Sequence, residues 1–161
     1  MSEEDSPVIL AIRVRGQVRV RPQIKHTLEK LKLGRLHHAR ILKMTPSVRG
    51  MINKAKDYLT WGEVDEETVV RLLDKRGRLS GNRRLTDEYV KKQSDYKSVK
   101  ALAKAIAAGE ADLYTVEGVK PIFRLTPPSG GYKGKTAQSF EVGGVTGYRG
   151  EAISELAMKM I

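Results

Sequence analysis

Arginine side chains are concentrated in the segment from Arg13 to Arg21. Four of its nine residues are arginines, and they stand at almost every second position: Arg13, Arg15, Arg19 and Arg21. A guanidinium group presents a planar fork of N–H donors that matches the oxygens of a phosphate. We therefore expect one strand edge or loop to present these side chains to phosphates. The alternative is a solvated face on which the arginines protect a sheet edge from further pairing.

A second group of cations falls on one side of a helix predicted between Thr45 and Lys56. Pro46 ends the preceding strand, and Thr45 or Ser47 caps the helix. Apolar residues recur at the spacing of a buried stripe, namely Val48, Met51, Ile52 and Ala55. The opposite side carries Arg49, Gly50, Asn53, Lys54 and Lys56. Glycine costs a helix about 1 kcal/mol relative to alanine, so Gly50 indicates a close approach by another backbone.

Two loops add further basic residues. The first, from Lys75 to Arg84, holds five positive charges and no carboxylate, and its expected phosphate contacts are Arg78, Arg83 and Arg84. It is either a mobile, tail-like loop or a loop that RNA orders. The second follows a pair of prolines and supplies Gly130, Gly131, Lys133 and Lys135. Its glycines let a phosphate approach the backbone, its lysines add charge, and Tyr132 could stack on an unpaired base.

The second loop also ends like a nucleotide-binding P-loop, because Gly134 is followed by Lys135 and Thr136. A P-loop has four residues between its two glycines, and that count places Ser129 where the first glycine should stand. No buried strand precedes the motif, and no helical pattern follows it. The sequence therefore argues against ATP or GTP binding, and a nucleotide-dependent enzyme is kept only as a rival hypothesis.

No catalytic or metal-binding set is evident in the sequence. The chain contains no cysteine, and its three histidines are His26, His37 and His38. The neighbouring pair His37 and His38 lies in a predicted strand, where successive side chains point to opposite faces. We expect this pair to pack or to meet RNA phosphate, and we expect no metal and no cofactor. Acidic pairs such as Glu66 and Glu67 fall in first helical turns, where they favour the helix dipole.

The charge of the chain is strongly uneven. Its formal net charge is +11 and its pI is about 9.9. Residues 8–64 carry 13 basic and 3 acidic side chains, whereas the segment 1–7 is an acidic tail. A concentrated basic region indicates a polyanionic partner, and a merely soluble basic surface is the alternative. No apolar run is long enough for a membrane span, and no signal core is seen at the N-terminus.

The elements that position these residues follow from periodicity. Alternation from Val8 to Val14 predicts a strand that places Leu10 and Ile12 on one face and Ile9, Ala11 and Arg13 on the other. A helix beginning at Pro22, a strand over 37–44, the helix over 45–56 and a strand over 57–64 complete a β-α-β-α-β order. The two amphipathic helices are expected to cover one sheet face and to leave the other partly free.

From Asp65 onward the pattern is mostly helical. We predict helices over 66–76, 87–92 and 99–108, capped by Asp65, Thr86 and Ser98. A short strand over 122–125 and a glycine-rich loop over 129–150 precede a final helix from about Glu151. The expected division is a core over 1–64, a helical extension over 65–112, and a loop with the last helix over 113–161, all packed as one domain.

The run from Thr45 to Lys54, Thr-Pro-Ser-Val-Arg-Gly-Met-Ile-Asn-Lys, resembles the signature of large-subunit ribosomal protein L-thirty. The resemblance extends over nearly the whole chain and is to the long archaeal/eukaryotic type, whose eukaryotic counterpart is called L-seven. It implies an α+β fold with a ferredoxin-like core, a three-stranded sheet and helices on one face. In that family the proline pair is typically followed by Arg-Gly-Gly, so Ser129 departs from the pattern, while Gly130 and Gly131 match it.

The same resemblance implies a function. It predicts a structural constituent of the large (50S) ribosomal subunit that supports translation in the cytoplasm and is not an enzyme. The expected partners are large-subunit (23S-like) ribosomal RNA near the 5S ribosomal RNA and neighbouring ribosomal proteins, with no small-molecule substrate and no membrane. A free-standing RNA-binding or regulatory module is the second rival hypothesis.

Overall fold

The computed structural model describes residues 6–161, so most of the predicted acidic tail lies outside the described residues. The order of strands and helices is β1 (Val8–Arg13), α1 (Pro22–Lys30), β2 (His38–Lys43), α2 (Pro46–Lys54), β3 (Leu59–Glu63), α3 (Glu66–Arg76), α4 (Asp87–Gln93), α5 (Val99–Ala107), β4 (Phe123–Arg124), β5 (Gly147–Tyr148) and α6 (Ala152–Met160). Short 3-10 turns occur at Ser80–Asn82, Leu113–Thr115 and Phe140–Val142. Between residues 6 and 161, no helix is long and apolar enough to cross a membrane.

The sheet confirms the α+β core and is wider than expected. Its five strands lie in the order β4-β2-β1-β3-β5, and β1 pairs antiparallel with both β2 and β3. The expected sheet had three strands. The two additional strands have two residues each: β4 pairs antiparallel with β2, and β5 pairs parallel with β3. β4 lies within the short strand predicted over 122–125, which is confirmed, whereas the two residues of β5 give no alternation to detect.

The two faces of β1 pack against different helices. Ile9 and Ala11 belong to a buried cluster with Leu28 of α1 and Ile52 of α2. Leu10, Ile12 and Val14 belong to a second cluster with residues of α3, α5 and α6. The alternation read along this strand is therefore confirmed. The expectation that the second face stays partly free was wrong, because the C-terminal helices bury it.

Side-chain caps fix the starts of the predicted helices. Thr45 Oγ1 accepts a hydrogen bond from the backbone N–H of Val48 at 3.3 Å, which begins α2 at Pro46. Asp65 Oδ1 accepts one from Thr68 N at 2.8 Å and begins α3. Thr86 and Ser98 act in the same way at α4 and α5. These contacts satisfy N–H groups that the first helical turn leaves unpaired.

The glycine-rich segment 129–150 is folded onto the sheet. Arg149 N donates to the carbonyl oxygen of Trp61 at 2.8 Å, and Arg149 Nε donates to Thr60 Oγ1 at 2.7 Å. The guanidinium group of Arg149 also lies over the Phe140 ring, 4.7 Å from its centroid. Arg149 therefore fastens this segment to β3.

Candidate nucleic-acid interface

The segment that follows β1 is a loop and not a continued strand. Arg19 and Arg21 are exposed in it, and Arg19 adopts a positive φ of 58°. Arg15 lies beside the end of α2: its Nη1 donates to Asp57 O at 3.5 Å, and its guanidinium lies 5.2 Å from the centroid of the Tyr58 ring. This contact brings the arginine loop against the segment that links α2 to β3.

Arg13 is the exception in the arginine group. Its side chain is only 2% exposed, and its guanidinium donates to the carbonyl oxygens of Leu33 at 3.0 Å, Arg15 at 2.9 Å and Gly16 at 3.2 Å. A side chain that is buried with its donors used cannot reach a phosphate, so the prediction of an RNA contact at Arg13 was wrong. Arg13 instead holds the arginine loop to the turn that follows α1.

The polar side of α2 faces outward as predicted. Arg49, Gly50, Asn53 and Lys54 are exposed on the helix, and Lys56 is exposed just after it. No other backbone or side chain of the described chain lies within 4 Å of a Cβ built on Gly50. The close approach that Gly50 indicated is therefore not made by the described part of the chain, and this stretch of helix backbone is open.

The loop after α3 is ordered by backbone pairing. Leu79 N donates to Arg83 O at 2.7 Å, and Lys120 N donates to Arg78 O at 2.9 Å. Arg83 and Arg84 are exposed, whereas Arg78 is half-buried and donates to its neighbours' carbonyl oxygens at Lys75 and Gly77. Of the two readings of this loop, a tail-like segment does not fit these contacts.

The loop after the proline pair presents its backbone and two lysines. Gly130 and Gly131 have φ values of +81° and +75° and open space around them, and Lys133 and Lys135 are exposed. Tyr132, by contrast, is half-buried: its ring stacks on His37 with a centroid distance of 6.2 Å, and its hydroxyl and His37 Nδ1 share a hydrogen bond of 3.1 Å. The contact with His37 occupies one side of the ring, and base stacking by Tyr132 stays a prediction.

Six of the predicted contact residues lie at one end of the sheet, where β1 ends and where β2 and β3 begin. His37 N donates to Arg13 O, and Val14 N donates to Tyr58 O, which ties the three strand termini together. We call this region the basic end and define it by its exposed or half-exposed cations, which are Arg15, Arg19, Arg21, Arg35, Lys54, Lys56, Arg124 and Lys133. On the opposite face α3 contacts β4, so the loop with Arg83 and Arg84 follows a helix that returns toward this end.

Sequence reasoning missed Arg35 and Arg124 at the basic end. Arg124 pairs with His38 across β4 and β2, and Arg35 lies in the turn just before His37. Burial, followed by the charges of Arg124, Arg35 and Arg13, lowers the pKa of His38 below its usual value. Burial also lowers the pKa of His37. Arg35 stands in the basic first third of the sequence, between the predicted helix and strand, but nothing in the sequence placed Arg124 near it.

Carboxylates do not neutralise the predicted contact residues. Within residues 6–161 the ion pairs are Arg71–Glu67, Lys104–Glu66 and Lys159–Glu155. None of these pairs includes a predicted contact residue. In the same part of the chain, no group of three His, Asp or Glu side chains could hold a metal ion. The arrangement therefore offers unpaired positive charge to a polyanion.

Comparison with known proteins identifies the family. The family model described as ribosomal protein L30p/L7e matches residues 9–59, which span β1 to the start of β3. The large ribosomal subunit protein uL30 of Methanosphaera stadtmanae is 52% identical over 150 residues, covering 93% of this chain and 97% of its own length. The uL30 proteins of Methanobrevibacter smithii and Korarchaeum cryptofilum are 47% and 41% identical and cover 96% and 100% of this chain.

The chain belongs to the uL30 family. Proteins of this family are structural components of the large ribosomal subunit, not enzymes, and they serve translation. The family model ends within β3, but the uL30 relatives are similar over the helical extension and the glycine-rich segment as well. The resemblance of the segment from Thr45 to Lys54 is thereby confirmed.

Proposed function

We propose that this chain is a structural constituent of the large (50S) ribosomal subunit in the cytoplasm and that it binds the large-subunit (23S-like) ribosomal RNA near the 5S ribosomal RNA. The observation that carries the proposal is the basic end, where exposed cations from distant parts of the sequence lie together without carboxylate partners. Membership of the uL30 family supports the assignment to the large ribosomal subunit. The cations of the basic end support the proposed binding of ribosomal RNA.

Binding is electrostatic and reads the shape of folded RNA. Lysine and arginine side chains that neutralise phosphates release condensed counterions, and this release favours association. The proposed contacts are Arg15, Arg19, Arg21, Arg49, Gly50, Asn53, Lys54, Lys56, Arg78, Arg83, Arg84, Gly130, Gly131, Lys133 and Lys135, and we now add Arg35 and Arg124. Arg78 serves this set only if its local hydrogen bonds are exchanged for a phosphate.

The open glycines have a specific part in this proposal. Gly50 lets an RNA backbone lie directly against α2, because nothing within the described chain fills that space. Gly130 and Gly131 have positive φ values that side chains rarely adopt and open space beside their Cα atoms, while Gly131 N donates to Pro128 O at 2.9 Å. Ser129 stands where the family has an arginine, and its own N–H donates to Lys159 O at 3.0 Å. We therefore expect the loop to bind through backbone and lysine, with one guanidinium contact fewer than its relatives.

We also propose that the core, the helical extension and the C-terminal segment bind as one unit. Residues of β1, β2, α3, α5 and α6 share one buried cluster. Because these parts pack in the same core, a contact surface formed by all of them should keep a fixed shape. The basic end would then meet RNA as a preformed surface.

Sedimentation of a cell extract in high-magnesium buffer tests the proposed function. The expected result is stoichiometric presence of the chain in the large subunit, with RNA cross-links from photoreactive groups at the positions of Arg19 and Lys133. A dominant free pool would favour a free-standing RNA-binding or regulatory module. Cross-links that fall far from 5S ribosomal RNA would overturn the location and leave the particle assignment intact.

A further inference from the structure

A groove runs between α2 and β5 on the sheet face that α1 and α2 cover. Trp61 of β3 pairs with Tyr148 of β5, so both side chains lie on that face, and Trp61 shares a buried cluster with Ile52 of α2. The two clefts along this flank share Asn53, Trp61 and Tyr148, and their floor is formed by buried Ile9, Ile52 and Trp61. We call it the α2–β5 groove and define it by Arg49, Asn53, Trp61, Phe140, Glu141 and Tyr148.

The charge of the α2–β5 groove is opposite to that of the chain. Its rims carry the three carboxylates of Asp57, Glu63 and Glu141 against the two cations of Arg49 and Lys56. The chain as a whole has a net charge of +11. The carboxylates outnumber the cations by one, which favours a cationic partner over RNA inside the groove.

The outer wall of the groove exposes large apolar side chains. Phe140 and Tyr148 line the groove and are 39% and 48% exposed, and Val142, two residues after Phe140, is 69% exposed. Contiguous exposed apolar groups of this kind mark protein interaction sites. Aromatic side chains in particular dominate the energetics of protein interfaces.

These side chains are already held in place. Tyr148 Oη donates to the carboxylate of Glu63, 2.6 Å from Oε2 and 2.8 Å from Oε1, and the Arg149 guanidinium lies over the Phe140 ring. A carboxylate has further lone-pair sites, so Glu63 can still accept from a ligand. A partner would therefore meet an ordered wall and lose less entropy on binding.

We propose that the α2–β5 groove binds a peptide segment of a neighbouring protein in the large subunit, one that carries apolar or aromatic side chains flanked by lysines or arginines. The apolar side chains pack on Trp61, Phe140 and Tyr148. The flanking cations pair with Glu63 and Glu141. This inference rests on the proposed function, because the particle brings the partner. Arg49, Asn53 and Lys56 border both surfaces, so the inference assigns their groove side to protein and the outer side of α2, which carries Lys54, to RNA.

Site-specific cross-linking in purified large subunits tests the groove. A photoreactive amino acid replaces Val142, and the same amino acid replaces Glu88, an exposed residue of α4, as the control. We expect the first position to link to a protein peptide with a net positive charge and at least one large apolar residue, identified by mass spectrometry. The control position should not link to that peptide.

A charge reversal makes the test specific. Glu141→Lys should lower the yield of that cross-link by about threefold or more at moderate ionic strength, because it replaces an attraction with a repulsion. Glu88→Lys, the same change on α4, should leave the yield unchanged. Cross-links to RNA, to an acidic peptide, or with a yield insensitive to Glu141→Lys would each overturn the proposal.

Sedimentation distinguishes a failure of the groove assignment from a failure of the proposed function. If the substituted chain is found in the large subunit and position 142 gives no protein link, the groove assignment fails and the proposed function stands. If the unsubstituted chain is absent from the large subunit, both the proposed function and the groove assignment fail.

Discussion

Arg13 Nη1 donates a hydrogen bond of 3.0 Å to the carbonyl oxygen of Leu33, which joins the end of β1 to the turn after α1. The same guanidinium donates to the carbonyl oxygens of Arg15 and Gly16. An arginine that resembled its neighbours in the sequence thus organises the loop on which those neighbours are presented. The arginine segment therefore contains two kinds of residue. The buried Arg13 should affect stability, and the exposed arginines should affect RNA binding.

Arg13→Ala should therefore destabilise the fold. It removes donors from three carbonyl oxygens at a buried site and leaves a cavity, so we expect the free energy of unfolding to fall by about 2–4 kcal/mol. Urea unfolding followed by circular dichroism measures this change. Arg21→Ala, at an exposed position whose side chain makes no cap hydrogen bond, should change stability by less than about 0.5 kcal/mol. Equal effects of the two substitutions would contradict the structural role of Arg13.

Gly62→Ala tests the attachment of the C-terminal segment to the sheet. A Cβ at Gly62 would overlap the backbone of Gly150, which cannot move aside as a flexible side chain would. We expect a loss of roughly 1–3 kcal/mol in the free energy of unfolding, as for other overpacked sites. The matched control is Gly16→Ala, since nothing lies within 4 Å of a Cβ there. A stable Gly62→Ala protein would show that β3 and residue 150 are farther apart.

Gly50→Ala should separate folding from binding. Alanine is the better helix former, so the variant should gain up to about 1 kcal/mol of stability. If an RNA backbone lies against α2 at this position, the added methyl group should weaken binding to a large-subunit RNA fragment several-fold. Filter binding or fluorescence anisotropy measures the affinity. Higher stability with unchanged affinity would show that RNA does not approach α2 here.

The pH dependence of stability should report His38. Burial and the charges of Arg124, Arg35 and Arg13 lower its pKa in the folded chain. The unfolded chain therefore binds more protons as the pH falls from about 7 to 5, and the free energy of unfolding should decrease over that range. His38→Gln should show a smaller decrease than the wild-type protein in urea unfolding at pH 7, 6 and 5. Identical decreases would mean that His38 is not held beside these arginines.

Local rules predicted the helices well. The N-caps Asp65, Thr86 and Ser98 and the stripe on α2 depend on residues within one or two turns, so the sequence alone was sufficient. β4 lies within the strand predicted over 122–125, but its pairing with β2 and the whole of β5 could not be predicted in the same way. Both strands pair with residues more than eighty positions earlier.

The sequence showed which segments of the candidate site are basic, but it did not show how these segments are arranged in space. The basic segments were recognised, but their meeting at one end of the sheet depends on the register of β1 with β2 and β3. Arg13 was mistaken for a surface residue although it continues the inward alternation of Ile9 and Ala11. The many arginines in this segment suggested that Arg13 is exposed, whereas the alternation of β1 correctly indicated that it is buried. The contact of Tyr132 with His37 could not be predicted, because the two residues are remote in the sequence.

The central claim is that exposed cations of the basic end neutralise RNA phosphates. Its most direct test is the salt dependence of binding to a large-subunit RNA fragment for the double variant Arg21→Ala with Lys54→Ala. The matched control is Lys91→Ala with Lys92→Ala, which removes the same charge from exposed positions of α4. If two phosphate contacts are lost, the slope of log affinity against log salt should shrink by roughly 1.4 to 1.8 for the first variant and stay near the wild-type value for the control. Equal slopes for both folded variants and the wild-type protein would contradict the claim.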